Sequence, residues 1–278
     1  MKYFAKERIS NFNIHYDLYS LDYFLDCTQK LGLKNVELLS GGKGLYFDYK
    51  GFSDPKPVRR KLEQRGLSCR VISPHNCDYQ YQFAAKDEVL RERSYEFFAN
   101  GMRFGAELGA KVMQANSGWG FWNEDQEEAM KRSAEMHQRL CELGDQLDVT
   151  IACETLRPQE SKLAWNLEGL KKLFDMVDHP RFKVMVDITA MAVAGETVQQ
   201  WFDTFGTENI IHTHFQDCDP YGHRVWGDGN QNLNDLLKAF KDNQYEGLFS
   251  QELTVRDYYA DPYHHDKRNI TVLDQYFY

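Results

Sequence analysis

Runs of β-branched and aromatic residues alternate with amphipathic stretches along the whole chain. The pattern predicts strands over 12–16, 35–39, 68–73, 111–116, 150–154, 183–187, 210–215 and 248–253. Several runs, VMVDI and IIHTHF among them, are almost continuously apolar, which suits strands covered on both faces of a parallel sheet. Helices are predicted over 21–31, 57–65, 86–108, 124–146, 167–177, 198–205 and 233–243, with an eighth opening near Pro262 in the 257–278 tail. Gly32, Gly66, Gly109 and Gly247 fall just after helices, where a left-handed cap is wanted, and Asp125 or Asn123 suits an N-cap. Eight strand–helix pairs in about 250 residues describe a single (β/α)8 TIM barrel filling 1–278. An open doubly wound sheet is the rival, but it gathers a ligand at one switch point.

Four predicted strands each stop at a metal-type ligand. IACE ends at Glu154, VMVD at Asp187, IIHTH at His214 and FSQE at Glu252. They lie about 30 residues apart, the length of one strand-plus-helix unit. Parallel strands put their carboxyl ends on one rim, so the four side chains are expected to converge at the C-terminal mouth of the barrel. Three carboxylates and one imidazole form a hard site for one divalent cation: Mn²⁺ first, with Mg²⁺ and Co²⁺ as alternatives. Such an ion polarises a carbonyl and its neighbouring hydroxyl and so acidifies the C–H between them; one Glu can remove that proton and the other can return one to the opposite face. The longer segments 77–85 and 218–232 belong to the same rim.

Other residues are weaker candidates. Glu37 closes the second strand and faces either substrate or the loop glycines Gly41 and Gly42. His75 and Asn76 follow the third strand, and Asn116 ends the fourth. His212 shares a face with His214 and lies one layer deeper. Trp119, Trp122, Tyr79 and Tyr81 are placed in rim loops, while His15 reads as a core histidine.

Composition narrows the choice of partner. With 42% hydrophobic and 14% aromatic residues, a large core is affordable; a net charge of −9 argues against nucleic acid. The start, MKYFAKERIS, lacks an apolar signal core, and no 18-residue apolar run exists, so neither secretion nor a membrane is expected. Six cysteines without a C-x-x-C pair suit thiols in a reducing cytoplasm.

The motifs ETL (154–156), VDI (186–188), HTHFQD (212–217) and QEL (251–253), with GLKNVELLSGG (32–42) and WGDGNQNL (226–233), resemble the xylose-isomerase-like sugar isomerase and epimerase superfamily. The nearest likeness is to the D-tagatose 3-epimerase and fructoselysine 3-epimerase branch. That resemblance implies Glu154, Asp187, His214 and Glu252 as metal ligands, with Glu154 and Glu252 also the acid–base pair. It implies substrate contacts for Glu160, His223 and Arg224. A histidine common three residues after the strand-six Asp is absent, because Ala190 stands there, as expected of the fructoselysine-type variant. The implied reaction is C3 epimerisation of a 2-keto sugar or ketose derivative through a cis-enediolate. An inosose-type dehydratase or an aldose–ketose isomerase would begin with the same deprotonation. An endonuclease IV-like phosphodiesterase also shares the superfamily, but the charge and Ala190 stand against it. The Gly227–Gly229 turn lacks a Lys/Arg cluster, so an unphosphorylated sugar or sugar–amine conjugate is expected. A homo-oligomer, dimer or tetramer, is implied as well.

Overall fold

The computed structural model describes residues 2–41, 44–77 and 80–278. Eight parallel strands close into a barrel in sequence order: β1 (Ile9–Phe12), β2 (Asn35–Ser40), β3 (Ser68–Pro74), β4 (Val112–Asn116), β5 (Thr150–Glu154), β6 (Phe182–Asp187), β7 (Ile210–His214) and β8 (Leu248–Gln251). Closure comes from β1, which pairs with both β2 and β8. Around the barrel run α1 (Leu21–Lys30), α2 (Lys56–Gln64), α3 (Glu88–Leu108), α4 (Gln126–Leu147), α5 (Leu167–Val177), the short α6 (Ile188–Val193), α7 (Val198–Phe205), α8 (Leu233–Asp242) and α9 (Pro262–Leu273). Phe98, Met102, Leu140, Leu173, Trp201 and Phe240 on these helices are buried against the barrel. No helix among the described residues is long and apolar enough to cross a membrane.

Most predicted elements stand within two residues of their expected ends, and local chemistry explains why. Asp125 caps α4 by accepting from the backbone N–H groups of Glu127 and Glu128. The end of α3 is set by Gly109 at φ 92°. Two expectations need correction. The first strand is Ile9–Phe12, not 12–16. Its Ser10 and Asn11 are wholly buried, so a barrel-interior strand looks polar in sequence. Asn13 then turns the chain, its Oδ1 accepting from Leu39 N at 2.6 Å, and 14–16 form a 3-10 turn. The apolar stretch ITAMAV directly after β6, to which the sequence pattern assigns no element, is α6, and Asp187 caps it through Thr189 N at 2.9 Å. Finally, Gly247 takes no left-handed cap; Gln244 does, at φ 55°. A Cβ on Gly247 would lie 2.3 Å from Ile211 O, so close approach is what requires glycine there.

Two irregularities aim the site. The β6–β7 ladder shifts so that Met185 pairs with His212 and Asp187 with His214. A similar shift lies between Val36 and Glu37 on β2. His212, His214 and Glu37 are all buried within the barrel.

Candidate active site at the barrel mouth

Glu154, Asp187 and His214 are the last residues of β5, β6 and β7, and Glu252 follows the last residue of β8. Their side chains meet. His214 Nδ1 lies 3.1 Å from Glu154 Oε2 and 3.1 Å from Glu252 Oε2. Glu252 Oε2 is also 3.1 Å from His223 Nε2, which stands 3.2 Å from Asp187 Oδ2. His223 therefore joins the cluster as a fifth member, closer in than the sequence suggested. His214 Nδ1 and Glu154 Oε2 are buried without a hydrogen-bond partner, which leaves both atoms available to a common ion. An octahedral ion with bonds of about 2.1 Å has ligand–ligand edges of about 3 Å. The 3.1 Å separations of Glu154 Oε2 and Glu252 Oε2 from His214 Nδ1 match such edges, and ligand atoms of Asp187 and Glu252 lie within 4.8 Å of each other, so these residues fit a divalent cation.

The remaining oxygens are held from behind. Gln114 Nε2 donates to Glu154 Oε1 at 2.7 Å, and Asn76 Nδ2 donates to Gln114 at 2.8 Å. Gln216 Nε2 donates to Asp187 Oδ1 at 2.6 Å. His223 is fixed through Nδ1 and Thr254 Oγ1, 3.0 Å apart. Asp217 accepts four backbone N–H groups, from Cys218, Gly227, Gly229 and Gln231, at 2.8 to 3.0 Å. It thereby organises the loop that carries His223.

Charge and burial compete throughout. Burial pushes the Glu154 carboxyl up to about 7, against the pull of His214. For Glu252 burial acts in the same direction, but His214 and His223 outweigh it and hold the carboxyl well below its usual range. Burial favours neutral His223, yet Glu252 and Asp187 raise it to about 10. His214 is likewise raised, by Glu252, Glu37 and Glu154 against burial.

Above the cluster opens a cavity of about 1020 Å³. His75, Arg157, Glu160 and His223 line it, as do Tyr16, Tyr19, Tyr46 and Tyr81 from the β1–α1, β2–α2 and β3–α3 loops. Glu160 is not a free carboxylate: it accepts from Arg157 N at 2.8 Å and Arg157 Nε at 3.0 Å. Arg224 does not line the cavity. Its guanidinium faces Asp219 at 3.7 Å, because its backbone is pinned on both sides to Asp217. The cation beside the cavity is Arg157, three residues past Glu154, which the sequence reading passed over. Asn116 is also behind the wall, donating to Asn76 at 2.9 Å. Glu37 contacts neither the cavity nor Gly41; it is wholly buried beneath His214 and bonded to His212 and His214. Gly42 and Tyr79 lie outside the described residues. Trp122 is 63% exposed, with Lys162 Nζ 4.0 Å from its ring centre, away from the cluster. His15 pairs with Asp266 at 2.8 Å in the core.

Known proteins share this architecture. Fructoselysine 3-epimerase of Escherichia coli O157:H7 is 28% identical over 234 residues, covering 84% of each chain. D-psicose 3-epimerase from Clostridium cellulolyticum H10, solved with D-tagatose, superposes with a TM-score of 0.79 at 17% identity, over 96% of this chain and 97% of that one. The 3-keto-D-glucoside 4-epimerase of E. coli does so with a TM-score of 0.81 at 14% identity, over 97% and 100%. The model of the xylose isomerase-like TIM barrel family matches residues 25–272, and the chain belongs to that family.

Proposed function

We propose that the chain is a divalent-metal-dependent sugar epimerase that inverts C3 of a 2-keto sugar or ketose derivative. One observation carries the reading: Glu154 Oε2 and Glu252 Oε2 each stand 3.1 Å from the same atom, His214 Nδ1, from strands on different arcs of the barrel. Glu154, Asp187, His214 and Glu252 would hold the ion, with Mn²⁺ suited to three carboxylates and an imidazole, and Mg²⁺ or Co²⁺ as substitutes. A bound ion supplies positive charge that acidifies the C–H beside the ketone.

The chain's own residues do the rest. One of the two glutamates accepts the C3 proton, and the bonding pair moves into C2–C3 as the carbonyl oxygen takes up the negative charge. The other glutamate returns a proton to C3 from the opposite face, restoring the ketone with inverted configuration. Gln114 holds Glu154 by its second oxygen, so that Oε2 keeps its aim. The Gln216–Asp187 bond does the same for Asp187. Arg157, with Glu160 as its counter-ion, offers hydroxyl-binding groups at the cavity wall. At about 1020 Å³ the cavity lies at the top of the range for drug-sized ligands, which favours a ketose carrying an extension over a bare monosaccharide. Exposed Phe121 and Trp122 on the rim favour a homo-oligomer, checked by light scattering.

The test is proton NMR of a ketose and ketosyl-amine panel in D₂O with Mn²⁺-treated enzyme, quenched and freed of metal before acquisition. Deuterium at C3 with a new C3 epimer is expected. Label at C1 or C2 with an aldose product, or loss of water, would replace epimerisation by isomerisation or dehydration.

A further inference from the structure

Beneath the four strand-end residues lies a carboxylate that the reaction does not consume. Glu37 is wholly buried on β2. Its Oε1 accepts from Ser73 Oγ and stands 3.0 Å from His214 Nε2, and its Oε2 stands 2.8 Å from His212 Nε2. Phe12 covers the His214 ring, with centroids 5.5 Å apart and planes 17° from parallel. The imidazole is thus clamped on one face and at one edge, and its other nitrogen, Nδ1, points to Glu154 and Glu252.

We infer that Glu37 is a positioning residue that fixes His214 as the Nε2–H tautomer and so turns the Nδ1 lone pair toward the cation site. This rests on reading the strand-end cluster as a cation site. A neutral imidazole has one N–H and one lone pair. With its lone pair on Nε2, His214 would set that pair against a buried carboxylate 3.0 Å away, with no water to screen the repulsion. With the proton on Nε2, that contact becomes a charge-assisted hydrogen bond and Nδ1 becomes a ligand. His212 completes the arrangement. It occupies the second Glu37 oxygen, so the carboxylate cannot rotate away from His214. Ser73 secures the first.

The test is graded. In Glu37→Gln the amide oxygen keeps Ser73 and His214, while the amide NH₂ meets His212; His214 retains its tautomer but loses the pull of the charge. In Glu37→Met the acceptor is gone. Mn²⁺ affinity, measured by calorimetry on the full-length protein, is expected to fall about tenfold in the first and about a hundredfold in the second. Long-range ¹H–¹⁵N spectra of the Mg²⁺-loaded wild type should show His214 protonated at Nε2, a readout that needs no variant to fold. A folded Glu37→Met that binds Mn²⁺ as tightly as wild type overturns the inference while leaving the cation site intact; a wild-type proton on Nδ1 overturns it and removes His214 from the ligand set. A wild type that binds no divalent cation removes both.

Discussion

Asp217 is the perturbation with the most legible magnitude. It is 2% exposed and closes the loop from β7 to α8 around its carboxylate. Oδ1 accepts from Cys218 N at 2.8 Å and Gln231 N at 3.0 Å; Oδ2 accepts from Gly227 N and Gly229 N at 2.9 Å each. Asp217→Asn replaces one oxygen by an NH₂ group, which faces two backbone donors. Two charge-assisted hydrogen bonds disappear, at about 1.5 kcal/mol each if the loop relaxes, for a loss of about 3 kcal/mol. Unfolding entropy is about 2.1 cal/mol/K per residue, or about 0.6 kcal/mol/K for this chain, so Tm should drop by about 5 °C. The same loop carries His223, whose Nε2 lies 3.2 Å from Asp187 and 3.1 Å from Glu252, so KM should rise as well. Calorimetry supplies the stability, and hydrogen exchange at Gly227 and Gly229 supplies the local protection. A Tm unchanged within about 1 °C, with those two amides exchanging at the wild-type rate, would refute the assigned role of this carboxylate.

Three further outcomes are expected. Glu154→Gln and Glu252→Gln should each lower kcat by at least about a hundredfold at saturating Mn²⁺ while remaining folded, since a carboxamide cannot accept the proton; wild-type kcat in either variant removes that residue from proton transfer. Chelation should abolish turnover and lower Tm, and Mn²⁺ at a hundred times its Kd should restore about 2.7 kcal/mol, or about 5 °C; a Tm indifferent to both would count against a cation held by the folded state. His137 is wholly buried, and burial lowers its ring to about 4. The unfolded ring takes up a proton below about pH 6.5 and the folded one only near 4, so this contribution is present above 6.5 and lost as pH falls to 4. It amounts to about 3 kcal/mol. His137→Phe, filling the space between Phe83 and Phe182, should flatten the acid stability curve over that window, and an unaltered curve would contradict the assignment.

The barrel was legible because parallel strands buried on both faces leave dense apolar runs, and because strand ends on one rim share one chemistry. Glu154, Asp187, His214 and Glu252 could be read as a set on those grounds alone. Polar barrel interior was not legible in the same way: Ser10 and Asn11 look like loop residues until Thr28 and Asp266 are seen to satisfy Asn11. Residues acting through others were harder still. Glu37 reads as a strand-end carboxylate in sequence, whereas it stands inside β2 and its partners lie 175 and 177 positions away on β7. The family resemblance points to Arg224, in the loop after the strand-seven histidine; the backbone pairing of Arg224 with Asp217, which turns it aside, leaves no periodic trace. Gln216 and Asp217 stand in the HTHFQD motif, where Gln216 continues the two-residue spacing of His212 and His214.

Crystals grown with Mn²⁺ and measured at the manganese absorption edge test the central claim most directly. One anomalous peak per chain is predicted, within coordination distance of Glu154 Oε2, Asp187, His214 Nδ1 and Glu252 Oε2. No peak there, or a peak held by other side chains, would contradict it.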